Sequence, residues 1–435
     1  MQKKLLGMAV ATALAAPAAV FAQSAVQVYG TAHMSFNNTS YGDSNTLINN
    51  GQGVGKKTNM SVSSHASNFG IRSSETLGGG MTGWVQYEFN VKMERDNDYT
   101  SGNGSSRNTA IGLRGNFGNV FFGTWETPFA QTFRMWDVGT IGGWGPTTSV
   151  MYRRESTTGS PSANCGQPIT GNQAITAGGI PTALCYHADI GPAYGASPGQ
   201  TASVAGNYAL WRRYGSAVHY ESPMFSGFQF KISYQPNETK AIGGAPLYVS
   251  GTTTAVATQE NPSSWSASLG WTGMGGKARA FAANMSAKDW TSVGKTDSGY
   301  IVGGGYNFGV VDIGAAYETY TYNSSGATGK NKIKDWAVGA AIPLGSGKIG
   351  VSYAQEADPK NDSGTIDAGA KMYNIGYEWA LSKRTAVGFG YAAIKNDPLA
   401  AFTWTGMSAR QDGTSVTPYQ GSDVSNIFVA FRHSF

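Results

Sequence analysis

Residues 26–36 of the sequence read Val-Gln-Val-Tyr-Gly-Thr-Ala-His-Met-Ser-Phe. Apolar or small side chains occupy the even-numbered positions, and polar or tyrosine side chains occupy the odd-numbered ones. Because successive side chains of a β-strand point to opposite faces of a sheet, this repeat of two residues predicts a strand. One face of that strand is apolar and the other is polar.

The same alternation recurs along the rest of the chain. It predicts sixteen strands, at about residues 25–37, 61–77, 81–93, 107–117, 119–126, 212–224, 227–236, 263–273, 277–288, 298–309, 310–323, 332–344, 347–356, 371–381, 384–395 and 425–435. A soluble β-sandwich would also alternate, so the repeat alone does not decide between a sandwich and a barrel.

Composition narrows the class of protein. The 435 residues include 60 Gly and 12% aromatic side chains, but only 13% are charged, against about 25% in an ordinary soluble domain. After the first 22 residues, no run approaches the roughly 20 apolar residues that a membrane-spanning helix needs. Disorder and a helical membrane bundle are therefore excluded.

The connections between the predicted strands differ at the two ends of the strands. Short glycine-rich turns such as Leu77-Gly78-Gly79-Gly80 alternate with long polar loops such as 236–262 and 397–422. Aromatic residues on the apolar face gather near the strand ends. These features are typical of an all-β fold, namely an antiparallel transmembrane β-barrel. A barrel of sixteen strands encloses an aqueous channel.

The first 22 residues predict export. Lys3 and Lys4 precede an apolar run, and Val20-Phe21-Ala22 ends it with small residues at the cleavage positions. We expect a signal peptide at 1–22 and a single barrel domain at 23–435. Removal of the two lysines lowers the formal net charge from +5 to +3, too little to suggest a nucleic-acid partner.

Cys165 and Cys185 are the only cysteines. An exported protein meets an oxidising environment, so one disulfide between them is the simplest prediction. A metal site that adds His187 is the weaker alternative, because it lacks a fourth ligand and a recognised spacing.

Five motifs, spread over the whole mature chain, carry a family resemblance: Val26–Gly30, Ser67–Gly80, Ile111–Gly118, Tyr220–Phe228 and Phe428–Phe435. Together they resemble the Gram-negative trimeric general porins of the beta-proteobacterial type. The resemblance implies a homotrimeric outer-membrane barrel through which small hydrophilic solutes and ions diffuse passively. It also implies contact with outer-membrane lipids and lipopolysaccharide. Phe431 and Phe435 are similar to the family's insertion signal, which the barrel-assembly machinery reads.

The resemblance further implies that the third external loop folds inward and narrows the channel. In this sequence the loop corresponds to 127–211, about 85 residues, a length that is uncommon for a connection without a function. We expect its first part, from Pro128 to about Pro146, to form the constriction. The remainder, which contains both cysteines, would be an external excursion; a surface loop without effect on permeation is the alternative.

Candidate constriction residues follow from the resemblance and from strand parity. Arg72 and Arg114 lie in matching motifs, on the parity opposite Ile71 and Leu113, and are expected to face the lumen. Parity selects further lumen-facing residues on the third strand, and the loop contributes a second set. The additional candidates are Gln86, Glu88 and Lys92 on the strand, and Glu126, Arg134 and Asp137 on the loop. Each charge could instead be a solvated rim side chain.

No enzyme, cofactor or metal is predicted. Gly195–Gly199 fits G-x-S-x-G but lacks the strand, sharp turn and helix that a nucleophile elbow requires. The main prediction is a general diffusion porin with a weak preference for anions. A substrate-specific channel with a binding site in the long loop, and an adhesin or structural barrel, remain alternatives. Saturable conductance would favour the substrate-specific channel, and absent conductance would favour the adhesin or structural barrel.

Overall fold

The computed structural model describes residues 26–43, 56–91, 93, 107–151, 213–236, 247–248, 255–256, 263–288, 295–323, 330–362, 364–365, 367–398, 400, 402–404 and 421–435. The predicted signal peptide, Lys92, Cys165 and Cys185 lie outside the described residues.

Sixteen antiparallel strands close into one barrel, which confirms the predicted fold. In chain order they are β1 (Gln27–Tyr41), β2 (Lys57–Ser64, continued by Asn68–Thr76), β3 (Thr82–Asn90), β4 (Thr109–Gly115), β5 (Gly118–Glu126), β6 (Arg213–Glu221), β7 (Phe228–Gln235), β8 (Ser263–Gly273), β9 (Ala278–Lys288), β10 (Thr296–Asn307), β11 (Asp312–Asn323), β12 (Lys330–Leu344), β13 (Gly347–Glu356), β14 (Ala370–Ala380), β15 (Thr385–Asn396) and β16 (Val424–Ser434).

The barrel closes where β16 pairs with β1, from Ser434 opposite Thr31 to Val424 opposite Tyr41. The remaining strands each pair with their neighbours in the chain. Two short hairpins lie in the connections: Leu247–Tyr248 pairs with Ala255–Val256, and Lys360–Asn361 pairs with Gly364–Thr365.

The two ends of the barrel differ as the sequence predicts. At one end the strands are joined by short turns, for example 345–346 between β12 and β13. At the other end the connections are long, for example 397–423 between β15 and β16. We call the connection from 127 to 212, between β5 and β6, loop L3. In porin topology the short turns face the periplasm and the long loops face the exterior.

The outer surface of the barrel is apolar. Along β10, the outward side chains of Tyr300 and Val302 are 54% and 50% exposed, whereas Ile301 between them is completely buried on the inner side. Outward residues on β16 follow the same rule. Such an apolar band is what hydrocarbon chains of a bilayer cover. Among the described residues, no helix is both long enough and apolar enough to span a bilayer.

Strand β2 departs from the prediction of one uninterrupted strand over 61–77. It begins at Lys57 and breaks between Ser64 and Asn68. On β1, Met34 pairs with Ser64 and Thr31 pairs with Asn68, so three residues of β2 oppose two of β1. The extra residue forms a β-bulge. Before the bulge the outward side chains of β2 stand at even-numbered positions, and after it they stand at odd-numbered positions.

Candidate channel constriction

The first part of L3 descends along the inner wall of the barrel. It opens with a helical turn, α1 (Pro128–Gln131), whose N-terminus is capped by the Thr127 side chain accepting a hydrogen bond from Ala130 N. Phe129 N donates to Ser266 Oγ on β8 at 3.0 Å. These contacts hold the start of the loop against the wall rather than outside the barrel.

Two basic side chains of the barrel wall also form hydrogen bonds with the first part of L3. Lys231 Nζ on β7 donates to Gln131 Oε1 at 2.6 Å. Arg279 Nε on β9 donates to the Met135 carbonyl at 3.0 Å, and its guanidinium also pairs with Asp312. Because Arg279 is the second residue of β9 after a short turn, L3 reaches the periplasmic half of the channel here.

The next part of L3 crosses the wall toward the barrel seam. Asn374 Nδ2 on β14 donates to the Gly139 carbonyl at 3.1 Å. Trp144 is completely buried and packs edge-on against His65, with the ring centroids 4.9 Å apart. Its ring also contacts Phe428 on β16. The described part of L3 therefore follows the inner wall from β7 to β2.

Glu126, at the end of β5 where L3 begins, is shared by two arginines. Its carboxylate pairs with Arg134 of L3 at 2.5 Å and with Arg213 of β6 at 2.9 Å. The Arg134 side chain is 51% exposed, and its guanidinium lies 4.5 Å from the Phe133 ring centroid. Arg213 Nε also donates to Asn108 Oδ1. Because two guanidinium groups share one carboxylate, a local excess of positive charge remains.

The part of the wall formed by β1, β2 and β3 carries a second polar group. Arg72 Nε on β2 donates to Gln27 Oε1 at 2.9 Å, and its guanidinium lies 5.1 Å from the Tyr29 ring centroid. Tyr29 OH donates to Glu88 Oε2, and the other carboxylate oxygen of Glu88 pairs with Arg107 at 2.5 Å. Arg72 and Glu88 thus share one network on the lumen side, as parity predicts.

Gln86 also faces this side. It is the strand partner of Arg72, and its amide donates to the Asn108 carbonyl at 2.8 Å. Arg114 lies elsewhere. It pairs across the sheet with Thr82 and Asn119, next to the short turn between β4 and β5. Arg114 is therefore at the periplasmic mouth, whereas Arg72 and Gln86 lie deeper in the wall.

Asp137 lies within L3 itself. Thr140 Oγ1 donates to one carboxylate oxygen at 2.7 Å, and Thr147 Oγ1 donates to the other at 2.5 Å. Burial raises the pKa of the Asp137 carboxyl above its usual range, and the two threonine hydroxyls oppose that rise. In the structure this side chain ties two parts of the loop together.

Some charged residues of the site were not among the candidates. Arg107 is the first residue of the predicted strand over 107–117, on the parity of Ile111 and Leu113, whereas β4 begins at Thr109 and Arg107 pairs with Glu88. Arg213 lies in the predicted strand over 212–224, and its position beside Glu126 follows from the pairing of β5 with β6. Lys231 lies on the polar parity of β7 with Gln229 and Ser233, so parity does orient it inward. Its contact with L3 had no signal in the sequence.

Phe431 and Phe435 lie on the outer side of β16 and the residue that follows it. Their side chains are 60% and 50% exposed. The Phe435 backbone exchanges two hydrogen bonds with Gly30 on β1. The terminal residue is therefore part of the closing seam, with its ring directed outward as the alternation predicts.

A barrel of this width, with one loop folded along its inner wall, defines a transmembrane diffusion channel. A family profile described as Gram-negative porin matches residues 8–399, and the chain belongs to that family. Outer membrane porin protein 32 of Delftia acidovorans is 26% identical over 444 residues, which cover 100% of both chains.

Two solved structures show the same fold. An anion-selective porin from Comamonas acidovorans superposes with a TM-score of 0.64 at 20% identity, covering 95% of this chain and 100% of that one. OmpT of Vibrio cholerae, in its trimer form, gives 0.55 at 14% identity, covering 95% of this chain and 99% of that one. At these identities the likeness concerns the fold.

Family membership confirms several predictions. The protein is a porin of the outer membrane, and it is a passive channel rather than an enzyme. The assignment of individual residues to the constriction stays a prediction.

Proposed function

We propose that the channel is a diffusion porin with a weak preference for anions, narrowed between L3 and the wall of β1 to β4. The observation that carries the proposal is the charge balance at Glu126, where Arg134 and Arg213 share a single carboxylate. Fixed charges close to the axis of a narrow pore attract ions of the opposite sign.

Arg72 contributes a further positive charge. Among the described residues its hydrogen-bond partner is a neutral amide, that of Gln27, and it forms no ion pair with a carboxylate. Glu88 is compensated by Arg107. We propose that Arg72, Gln86 and Glu88 line the wall side of the constriction and that Glu126 and Arg134 line the loop side.

Other predicted site residues take different parts in this proposal. Arg114 contributes positive charge at the periplasmic mouth. Asp137 stiffens L3 through its two threonine donors rather than meeting the permeating ion. Lys92 lies outside the described residues, and its predicted inward direction rests on parity. The disulfide between Cys165 and Cys185 likewise remains a prediction for the external part of L3.

The assembly follows from resemblance. We propose a homotrimer; the OmpT structure in its trimer form has this fold, and the exposed apolar outer surface provides area for association. We also propose that the barrel-assembly machinery recognises the C-terminal strand through Phe431 and Phe435.

The outer surface suggests where lipopolysaccharide could bind. A cavity of about 430 Å³ opens at the external ends of β1, β2, β15 and β16 and is lined by Lys56, Lys57 and Lys395. Lys395 also pairs with Asp423 at 2.5 Å. Lysines at this level favour the phosphate groups of outer-leaflet lipids.

The test is single-channel conductance and zero-current potential across an asymmetric KCl gradient. For the unaltered protein we expect large ohmic steps in triplets and a small potential of the anion-selective sign. Arg72→Ala should move the potential toward cations. Arg384→Ala, in the short turn between β14 and β15, is the matched control and should leave it unchanged.

Saturation of the current by a solute at millimolar concentration would instead indicate a specific binding site. A potential that stays constant in Arg72→Ala would remove Arg72 from the constriction. A cation-selective potential of the unaltered protein would contradict the proposed preference.

A further inference from the structure

Five consecutive strands of the wall each place a glycine beneath L3. They are Gly314 on β11, Gly339 on β12, Gly350 on β13, Gly376 on β14 and Gly388 on β15. Gly314 and Gly339 are directly opposite each other in the sheet, as are Gly350 and Gly376. We call these five residues the glycine track. The segment of L3 that lies on it is 136–142.

The loop leaves no room for side chains at two of these positions. A Cβ atom at Gly314 would overlap the backbone of Trp136, including its carbonyl oxygen. A Cβ atom at Gly350 would lie 2.6 Å from the Gly139 oxygen and 2.6 Å from Ile141 Cγ1. At both positions the three nearest atoms all belong to L3, so the loop, not the neighbouring strands, requires glycine there.

At Gly376 the nearest atom to an added Cβ would be the Phe389 oxygen of β15, at 2.8 Å, so the neighbouring strand limits the space there. The loop is less close at the remaining two positions. At Gly339 the nearest atom to an added Cβ would be Gly139 N, at 3.2 Å. At Gly388 it would be Ile141 Cγ2, at 3.4 Å, which is ordinary van der Waals contact. The track therefore offers a series of positions at which one methyl group would press on the loop to different degrees.

A side chain beside the track fixes the loop along it. Asn374, which is 3% exposed, donates from Nδ2 to the Gly139 carbonyl, and its Oδ1 accepts a hydrogen bond from Ser352 Oγ. Ile141, completely buried, packs over Gly350 and Gly376. The glycines thus permit the approach of the loop, while Asn374 and Ile141 hold it in register.

We propose that the glycine track sets the distance between L3 and the wall, and thereby the free cross-section of the channel, with Gly314 and Gly350 as positioning residues. The inference rests on the proposed role of L3 in narrowing the channel. Because protein interiors are packed densely, a methyl group inserted beneath the loop cannot be absorbed without displacement. The barrel encloses the loop, so the displacement is directed into the lumen.

The experiment measures single-channel conductance of four variants in symmetric KCl. We expect Gly314→Ala and Gly350→Ala to lose conductance most, Gly339→Ala to lose less, and Gly388→Ala to resemble the unaltered protein. Gly83→Ala is the matched control, because an added Cβ on that strand glycine would lie 3.6 Å from Leu77 Cδ1, far from L3. The heat-dependent shift in gel mobility checks that each barrel is folded.

A second variant separates positioning from a general effect of alanine. Ile141→Ala removes two of the three loop atoms nearest the new methyl group of Gly350→Ala, namely Cγ1 and Cδ1. In the double variant the conductance lost in Gly350→Ala should be partly recovered. Losses that simply add would overturn the proposal.

The remaining outcomes are also decisive. If the two tightest variants do not fold, Gly339→Ala decides, and an unchanged conductance in that variant contradicts the role of the track. If the glycine variants conduct normally while Arg72→Ala changes the zero-current potential, the track proposal fails and the constriction proposal stands. If neither changes, the track proposal fails and Arg72 lies outside the constriction.

Discussion

Glu126 compensates part of the positive charge of two neighbouring arginines. Its carboxylate faces Arg134, which is half exposed, and Arg213, which is more enclosed. Glu126→Gln keeps the shape of the side chain but removes the negative charge, so two guanidiniums remain uncompensated. We expect the zero-current potential in a KCl gradient to shift further toward anion selectivity, and more strongly at low salt, where screening is weaker.

Asp137→Asn is the matched control for this prediction. It also removes one carboxylate charge from L3, but that carboxylate is half-buried and accepts hydrogen bonds from Thr140 and Thr147 within the loop. We expect little change in the zero-current potential from this variant. Equal shifts in the two variants would show that the potential responds to net charge and not to the local arrangement at Glu126.

The sequence orients side chains on strands but not those on loops. Parity directs Arg72, Gln86 and Glu88 to one face, and the structure places them in one polar group. It does not orient Arg107, which lies in the predicted strand over 107–117 but precedes β4, and it does not identify the partners of Glu126. The contact of Arg134 with Glu126 depends on how L3 folds back, which the period of two residues does not describe.

Among elements, β2 shows where the alternation misleads. The alternation predicts one continuous strand over 61–77, yet one extra residue changes which parity faces outward. Val62 and Ile71 are both exposed on the outer surface, although one number is even and the other odd. A bulge is visible only from the partner strand, here β1.

The external loop between β13 and β14 brings three carboxylates together. Asp358 and Asp367 of that loop and Asp397, which follows β15, have oxygens within 4.8 Å of one another. Burial, and then repulsion from Asp358 and Asp367, raise the pKa of Asp397. The folded state therefore binds a proton more tightly than the unfolded chain does, and stability from this group is lost as the pH rises through the raised pKa.

Asp397→Asn removes this repulsion. We expect the variant to unfold at a higher temperature than the unaltered protein at neutral pH. The difference should shrink as the pH falls through the raised pKa of Asp397, because the unaltered carboxyl then becomes protonated and neutral. The heat-dependent shift in gel mobility across pH measures it. Asp362→Asn, in the same loop, is the control; an equal gain there would argue against repulsion at Asp397.

For the whole molecule, strand alternation and the lengths of the connections predict the barrel, because each strand must separate lipid from water along its full length. The route of L3 could not be predicted in this way. It depends on contacts between L3 and glycines of five neighbouring strands, and the alternation of side chains does not say where those glycines adjoin in the sheet.

Closure also depends on a polar seam inside the barrel, between β1 and β16. Thr39 Oγ1 donates to Asn426 Oδ1 at 3.1 Å, and Asn426 Nδ2 donates to Asn37 Oδ1 at 3.2 Å. All three side chains are 1% exposed. A buried hydroxyl that loses its acceptor pays a desolvation cost, because water does not replace the missing partner.

Asn426→Ala leaves Thr39 without that acceptor, while Asn37 still accepts from Ser35 Oγ at 2.9 Å. We expect the free energy of unfolding to fall by about 1–3 kcal/mol, measured from tryptophan fluorescence in guanidinium chloride. Ser425→Ala, on the same strand but on the outer face, should change it far less. If both variants unfold at the denaturant concentration of the unaltered protein, the seam is held by the backbone ladder of β1 and β16 alone, and the inner side chains contribute nothing to closure.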